Sequence, residues 1–290
     1  MLWVLLSLIT AFSVATEAAI IKWRFSDLRG LEVVAAPMVF SLPCVAVLAL
    51  VEPRPETLDP AFWTTLAILA PINVAGFICH TWAVKLSPLS LTVPFLAFTP
   101  ALVVLTGFTV LGELPSVWGA LGVAAIVAGS YVINLDSRGR DGLLGPIKAI
   151  GRERGSLLML IAAGIWGVAA VFAKKLVVQS SPMYACAWFF LIHNSLLLTA
   201  LLATGRVRVR VLAGRAWPLT LLGGLFFLDV YCHYTALSLV TTVYMISIKR
   251  LAGLFSVCYG WLFFKERSIG YRFAGAGCMT VGAVVIALWG

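Results

Sequence analysis

Two adjacent cations, Lys249 and Arg250, stand inside an apolar stretch from Val243 to Glu266 that reads V-Y-M-I-S-I-K-R-L-A-G-L-F-S-V-C-Y-G-W-L-F-F-K-E. A bilayer core of about 30 Å needs about 20 apolar residues in a helix, and this stretch is long enough. The pair is reached about eight or nine residues in, about 13 Å at about 1.5 Å per residue. Ionised groups at that depth cost at least about 2.5–3.5 kcal/mol each, so they persist only where they meet partners, water or ligand. Neighbouring residues point about 100° apart on a helix. The two can therefore grip one anion from two angles, but they cannot both face lipid. Arg supplies a planar fork of donors and Lys a point charge. The competing reading is structural: buried bridges to Glu17 and Asp229 that leave the interior neutral.

Other residue types could support such chemistry. Asp229 and His233 are four apart, hence on one helical face, as a proton relay or a satisfied polar pair. Glu17 could couple protons as a titrating carboxylate, or bridge to Lys249 or Arg250 as a counter-ion. Asn73 and His80 share a face at seven residues' spacing. Tyr234 and Tyr244, with Tyr231 and Tyr259, offer hydroxyls to a cavity, while His193 and Asn194 suit hydrogen bonding between helices. No catalytic motif stands in the chain: no H-E-x-x-H, no G-x-S-x-G and no Gly-rich phosphate loop. The six cysteines (Cys44, Cys79, Cys186, Cys232, Cys258, Cys278) lie in apolar segments without C-x-x-C. No disulfide framework, metal site, cofactor or enzymatic activity is expected.

The elements that must hold these groups follow from composition. The 290 residues are 61% hydrophobic and 11% charged, too few charges to cover a soluble surface. The net charge of +9 comes from basic residues in short loops, which argues for membrane topology and against nucleic acid. Ten spans are expected: 2–21, 33–51, 61–83, 88–111, 116–134, 156–176, 183–203, 216–237, 241–263 and 268–289. Residues 1–134 read as a first five-helix repeat, 135–155 as a cytoplasmic linker and 156–290 as a second repeat. A shift of 153 residues lays His80 on His233, Gly107 on Gly260, Glu113 on Glu266, Gly122 on Gly275 and Gly129 on Gly282. An odd number of helices per copy inverts the second relative to the first, an arrangement that places binding sites at the midplane. The fold class is thus all-α integral membrane, with ten transmembrane helices in two inverted five-helix repeats.

This pattern, with G-E-L-P-S at 112–116 and K-E-R-S at 265–268, resembles the drug/metabolite transporter superfamily, and within it the EamA-like ten-helix members. The resemblance covers the whole chain and implies a transporter, but it leaves amino acids, drugs, sugar phosphates, nucleotide sugars and lipid head groups all open. S-I-K-R at 247–250 is similar to the phosphate-binding Lys-Arg pair of the sugar-phosphate translocator branch. That branch also uses a lysine on its fourth helix, where this chain has none. The expected partner is a small organic anion or a lipid phosphate, bound by Lys249, Arg250, Tyr244, Tyr234 and Asn73, with Glu17, Asp229, His233 and His80 as coupling groups or counter-ions. The expected function is alternating-access transport of that anion, phosphorylated by preference. A flippase for a lipid-linked phosphate and a proton-coupled exporter of amino acids or drugs are the alternatives.

The odd-numbered loops carry 16 Lys and Arg, whereas the even loops and termini carry three (Arg54, Lys174, Lys175). The bias predicts cytoplasmic odd loops and both termini on the outer face, in a bacterial inner membrane among its lipids. Pro94 and Pro100 should bend the fourth helix. Glu113 and Glu266 are expected to cap the helices that follow them. The Gly122/Gly129 and Gly275/Gly282 spacings suit close packing of helices 5 and 10, on each other or across a homodimer.

Overall fold

A computed structural model describes residues 1–87, 93–133, 147–148, 152–203, 205, 207, 212, 214–263 and 270–290, and among them every regular element is helical. The first half holds α1 (Leu2–Arg24), α2 (Gly30–Val51) and α3 (Ala61–Leu86). A 3-10 segment (Val93–Phe98) then runs into α4 (Thr99–Leu111), and α5 (Val117–Ile133) follows. The second half holds α6 (Arg154–Gln179), α7 (Pro182–Ala203), α8 (Ala216–Leu239), α9a (Thr242–Lys249), α9b (Ala252–Leu262) and α10 (Gly270–Trp289). Six of these helices are long and apolar enough to cross a membrane, and 95–111, 117–133 and 274–289 are shorter apolar helices. Large apolar side chains cover the outside: Leu50 is 87% exposed, Val117 77% and Trp217 76%. Water would penalise such a surface and lipid does not. The molecule is an integral membrane protein.

The two halves share one register. Leu86 and Leu239 end α3 and α8, Thr99 and Ala252 begin α4 and α9b, and Val117 and Gly270 begin α5 and α10, each pair 153 residues apart. The packing repeats as well. α3 lies on α6 as α8 lies on α1, and α4 lies on α6 as both parts of the ninth span lie on α1. The halves therefore interleave instead of standing side by side. Residues 134–146 and 149–151 lie outside the described residues, as do Glu266 and seven of the 16 odd-loop cations, Arg208 among them.

Helices 5 and 10 pack on each other through their glycines. A Cβ on Gly122 would lie 2.7 Å from the Gly282 carbonyl oxygen, and one on Gly129 2.5 Å from that of Gly275. Built on Gly275 or Gly282, it would lie 2.6 Å from the carbonyl oxygen of Gly129 or Gly122 respectively. The pairing is reciprocal and antiparallel, as inversion of the second copy requires. Bare backbone on backbone is how helices approach closely where no hydrophobic force separates them from lipid.

Contacts between loops sort the ends. Asp59 N–H donates to the Gln179 carbonyl at 2.9 Å, and Ser181 Oγ to Glu52 Oε1 at 3.3 Å. Ser116 Oγ donates to the Trp289 carbonyl at 3.1 Å. These contacts gather the even loops and the end of α10 at one face. At the other face Arg215 forms a fork with Asp27 at 2.8 Å, and Ser87 Oγ donates to Glu153 Oε2 at 2.9 Å.

Candidate functional site

The ninth span, expected as one helix over 241–263, is two. At its midpoint the hydrogen-bond ladder tightens: Leu251 N–H reaches the Ile248 carbonyl at 2.9 Å and Gly253 N–H that of Arg250 at 3.0 Å, both three residues back. Lys249 is the last residue of α9a and Arg250 its C-cap. Both cations thus sit at a C-terminal helix end, where exposed carbonyls favour positive charge. The corresponding junction in the first half is the passage from the 3-10 segment to α4, so both half-chains interrupt the same span at the same place. Proline explains the first interruption. In the second, no proline stands, and the two charges occupy the break.

Around that break the structure assembles acids from two other helices. Lys249 Nζ donates to Asp229 Oδ1 at 3.1 Å and Oδ2 at 3.2 Å. It also lies 3.3 Å from His233 Nδ1. An ammonium only donates, so that ring nitrogen accepts and the tautomer carries its proton on Nε2. The expected i, i+4 face of α8 is thereby realised, with both of its polar groups on one lysine. Asp229 is packed away, whereas a quarter of the Lys249 side chain stays accessible at mid-span (9% against 25%). Thr10 Oγ1 on α1 donates to the Asp229 backbone carbonyl at 3.4 Å, tying α1 to the same level. Glu17, about two turns further along α1, is within electrostatic reach of both Asp229 and Lys249. Its Oε1 is buried without a hydrogen bond.

Arg250 differs from its neighbour. Its Nε is buried and unpartnered, and among the described residues no acid forms an ion pair with it. Of the two cations, Lys249 is the one that pairs with an acid among the described residues. Ser247 Oγ, three residues before Arg250, is likewise buried without a partner.

The remaining expected residues disperse. Tyr244 is 6% exposed, and its hydroxyl accepts the Ser116 N–H at 2.8 Å beneath Gly119. Tyr234 is 1% exposed and stacks on Phe189 at 6.2 Å, its hydroxyl unpartnered. Asn73 is half-buried on α3. His80, the equivalent of His233, lies over the Trp166 ring at 5.2 Å, and the position equivalent to Asp229 is Gly76. The Asp229–His233 pair of α8 therefore has no counterpart at the equivalent positions of α3. Tyr259 shares a 2.7 Å hydrogen bond with Thr16 Oγ1. His193 and Asn194 act as glue: Asn194 Nδ2 donates to Ser41 Oγ of α2 at 3.2 Å.

Glu113 does not cap α5. Ser116 does that, accepting the Gly119 N–H at 2.9 Å. Gly112, at φ +68°, ends α4 in a left-handed turn and sends the Glu113 carboxylate back across the repeat interface. There Oε2 accepts the Thr242 N–H, the first of α9a, at 2.8 Å. Sequence reading also missed Lys174, which donates to the carbonyls of Leu237 and Val240 at the end of α8 and feels the Glu113 charge. Its signal was a second lysine next to Lys175 at the apolar end of a span.

The profile described as the EamA-like transporter family matches residues 1–135 and 153–288, one match on each half. A solved structure described only as "Crystal structure of protein" is similar at a TM-score of 0.72 and 17% identity, covering 99% of this chain and 97% of that one. No curated protein matches.

Proposed function

The chain belongs to the EamA-like transporter family, and from that premise we propose that it is a secondary transporter of a small organic anion, phosphorylated by preference, alternating access between the two repeats. One observation carries the reading: Arg250, a permanently charged group, stands at a mid-span helix break with a buried, unpartnered Nε. A charged donor buried without an acceptor is costly, and an anion with several acceptor oxygens relieves that cost more fully than a monocarboxylate does. Lys249 can join Arg250 on the anion if Asp229 or Glu17 takes a proton, which would couple transport to the proton gradient. In this reading the charge bias sets both termini on the outer face of a bacterial inner membrane.

Glu17 supports a second reading, proton-coupled export of an amino acid or drug, because its buried Oε1 lacks a donor. A lipid-linked phosphate has its own support in the apolar groove between α2 and α8, lined by Pro43, Cys44, Val47, Leu48, Val51 and Phe227, which an acyl chain could occupy. Thermal shifts of the purified protein with glycerol 3-phosphate, short-chain phosphatidic acid and neutral or cationic amino acids separate the three. Stabilisation by glycerol 3-phosphate supports the solute carrier. Stabilisation by the cationic compounds alone would overturn the anion reading.

A further inference from the structure

We propose that Glu113 is a positioning residue for Lys249 and Arg250, acting from the opposite repeat through the half-helix α9a. This half-helix is short, eight residues or about 12 Å, and it carries Lys249 at one end. At its other end the N-cap Thr241 makes no side-chain hydrogen bond to it. An eight-residue helix is too short to be stable alone, so its placement comes from outside. No residue from Thr242 to Ile248 is more than 6% exposed, and α9a packs on α1, α4, α5, α6, α8 and α10. Packing confines it sideways. Along its axis, the first N–H groups are what remains to be held.

The α4–α5 turn holds the first of them. Glu113 Oε2 takes the Thr242 N–H at 2.8 Å, and the Tyr244 hydroxyl of α9a in return accepts the Ser116 N–H at 2.8 Å. The turn is built for this. Glu113 N–H closes on the Gly107 carbonyl at 3.1 Å, and a Cβ on Gly107 would lie 4.0 Å from Glu113 Oε2, directly under the carboxylate. A negative group at a helix N-terminus also meets the positive end of the helix dipole. Lys174, which binds the last carbonyls of α8, lies within reach of the same carboxylate. One acid of the first repeat thus sits between the end of α8, which carries Asp229 and His233, and the start of α9a, which carries Lys249. A change in how the repeats meet pulls on Glu113 and is passed along a rigid rod to both cations.

Amide exchange of the full chain in lipid nanodiscs tests the geometry without any substrate. Glu113→Ala should raise exchange over Thr242–Tyr244 about tenfold, the weight of one hydrogen bond to a charged group. Glu113→Gln, which keeps an acceptor oxygen, should restore most of the protection. Unchanged exchange in Glu113→Ala overturns the proposal. A second arm rests on the anion reading: affinity for glycerol 3-phosphate should fall about tenfold in Glu113→Ala and recover in Glu113→Gln. Wild-type affinity in Glu113→Ala would also overturn it. Absence of binding by the wild type would instead remove the anion reading, and amide exchange alone then decides the role of Glu113.

Discussion

Lys249 Nζ is shared almost equally between the two carboxylate oxygens of Asp229, at 3.1 and 3.2 Å, linking the C-terminal end of α9a to the interior of α8. A pair so placed is far costlier to halve than to remove. Asp229→Asn leaves an ammonium without its counter-charge and should destabilise the protein by about 3–5 kcal/mol, seen as a large drop in thermal midpoint. Asp229→Leu combined with Lys249→Met should recover most of that loss without recovering transport.

Arg250 should behave in the opposite way. It has no ion pair to lose among the described residues, so Arg250→Ala should leave the thermal midpoint near wild type or raise it. Binding of a phosphorylated compound should vanish. Arg250→Lys keeps the charge but not the fork, and affinity should still fall about tenfold. Titration calorimetry on the three proteins checks the order.

Tyr244 was expected at the substrate, yet its hydroxyl is occupied by the Ser116 N–H. Tyr244→Phe should therefore cost about 1 kcal/mol of stability, and any affinity loss should accompany that cost and stay smaller than in Glu113→Ala. An affinity loss without a stability loss would return Tyr244 to the binding surface.

Orientation can be read with a reporter. The helix order puts Lys22, Arg24, Arg29, Arg152 and Arg154 beside the end of α1 and the starts of α2 and α6, and Arg54 beyond the opposite end of α2. A C-terminal fusion active only in the cytoplasm should stay silent. A reporter in the linker beside Arg152 should be active.

The register of the repeat was legible because His, Glu and Gly stand out in so apolar a chain. The matches of His80 with His233 and Gly122 with Gly275 survive composition bias, and the helix boundaries keep the same offset. The pairing of Asp229 and His233 on one face was legible too, since four-residue spacing needs only helical periodicity. Two things were not. The break at Arg250 has no proline to announce it, and hydropathy treats a span as one rod. The clue lay in the other half, where Pro94 and Pro100 are the equivalents of Ser247 and Gly253. Glu113 was read locally, as a cap for the helix after it. The left-handed Gly112 turns it instead towards a helix far off in sequence, and spacing alone does not reveal such a partner.

The glycine crossing predicts sharp intolerance. Gly129→Leu or Gly275→Leu would drive a side chain into carbonyl oxygens 2.5–2.6 Å from the first added carbon. The cost should exceed the usual 1–3 kcal/mol of an overpacked core, because backbone and not a flexible side chain is in the way. Gel filtration of detergent-solubilised variants should show aggregation where Gly164→Leu, with open space around its Cβ, does not.

That crossing also limits how the molecule can work. Each of the two notches is filled by the opposing backbone and flanked by a bulky side chain, Ile286 beside Gly122 and Met279 beside Gly129. Sliding α5 along α10 would ride those side chains over the glycines, like a ratchet with its teeth engaged. A small swing about the crossing moves almost nothing there and is amplified at the far ends of the helices. The α5–α10 contact is thus a fulcrum: the engaged backbones resist slipping, and in the transport cycle proposed above the repeats would move by pivoting about it.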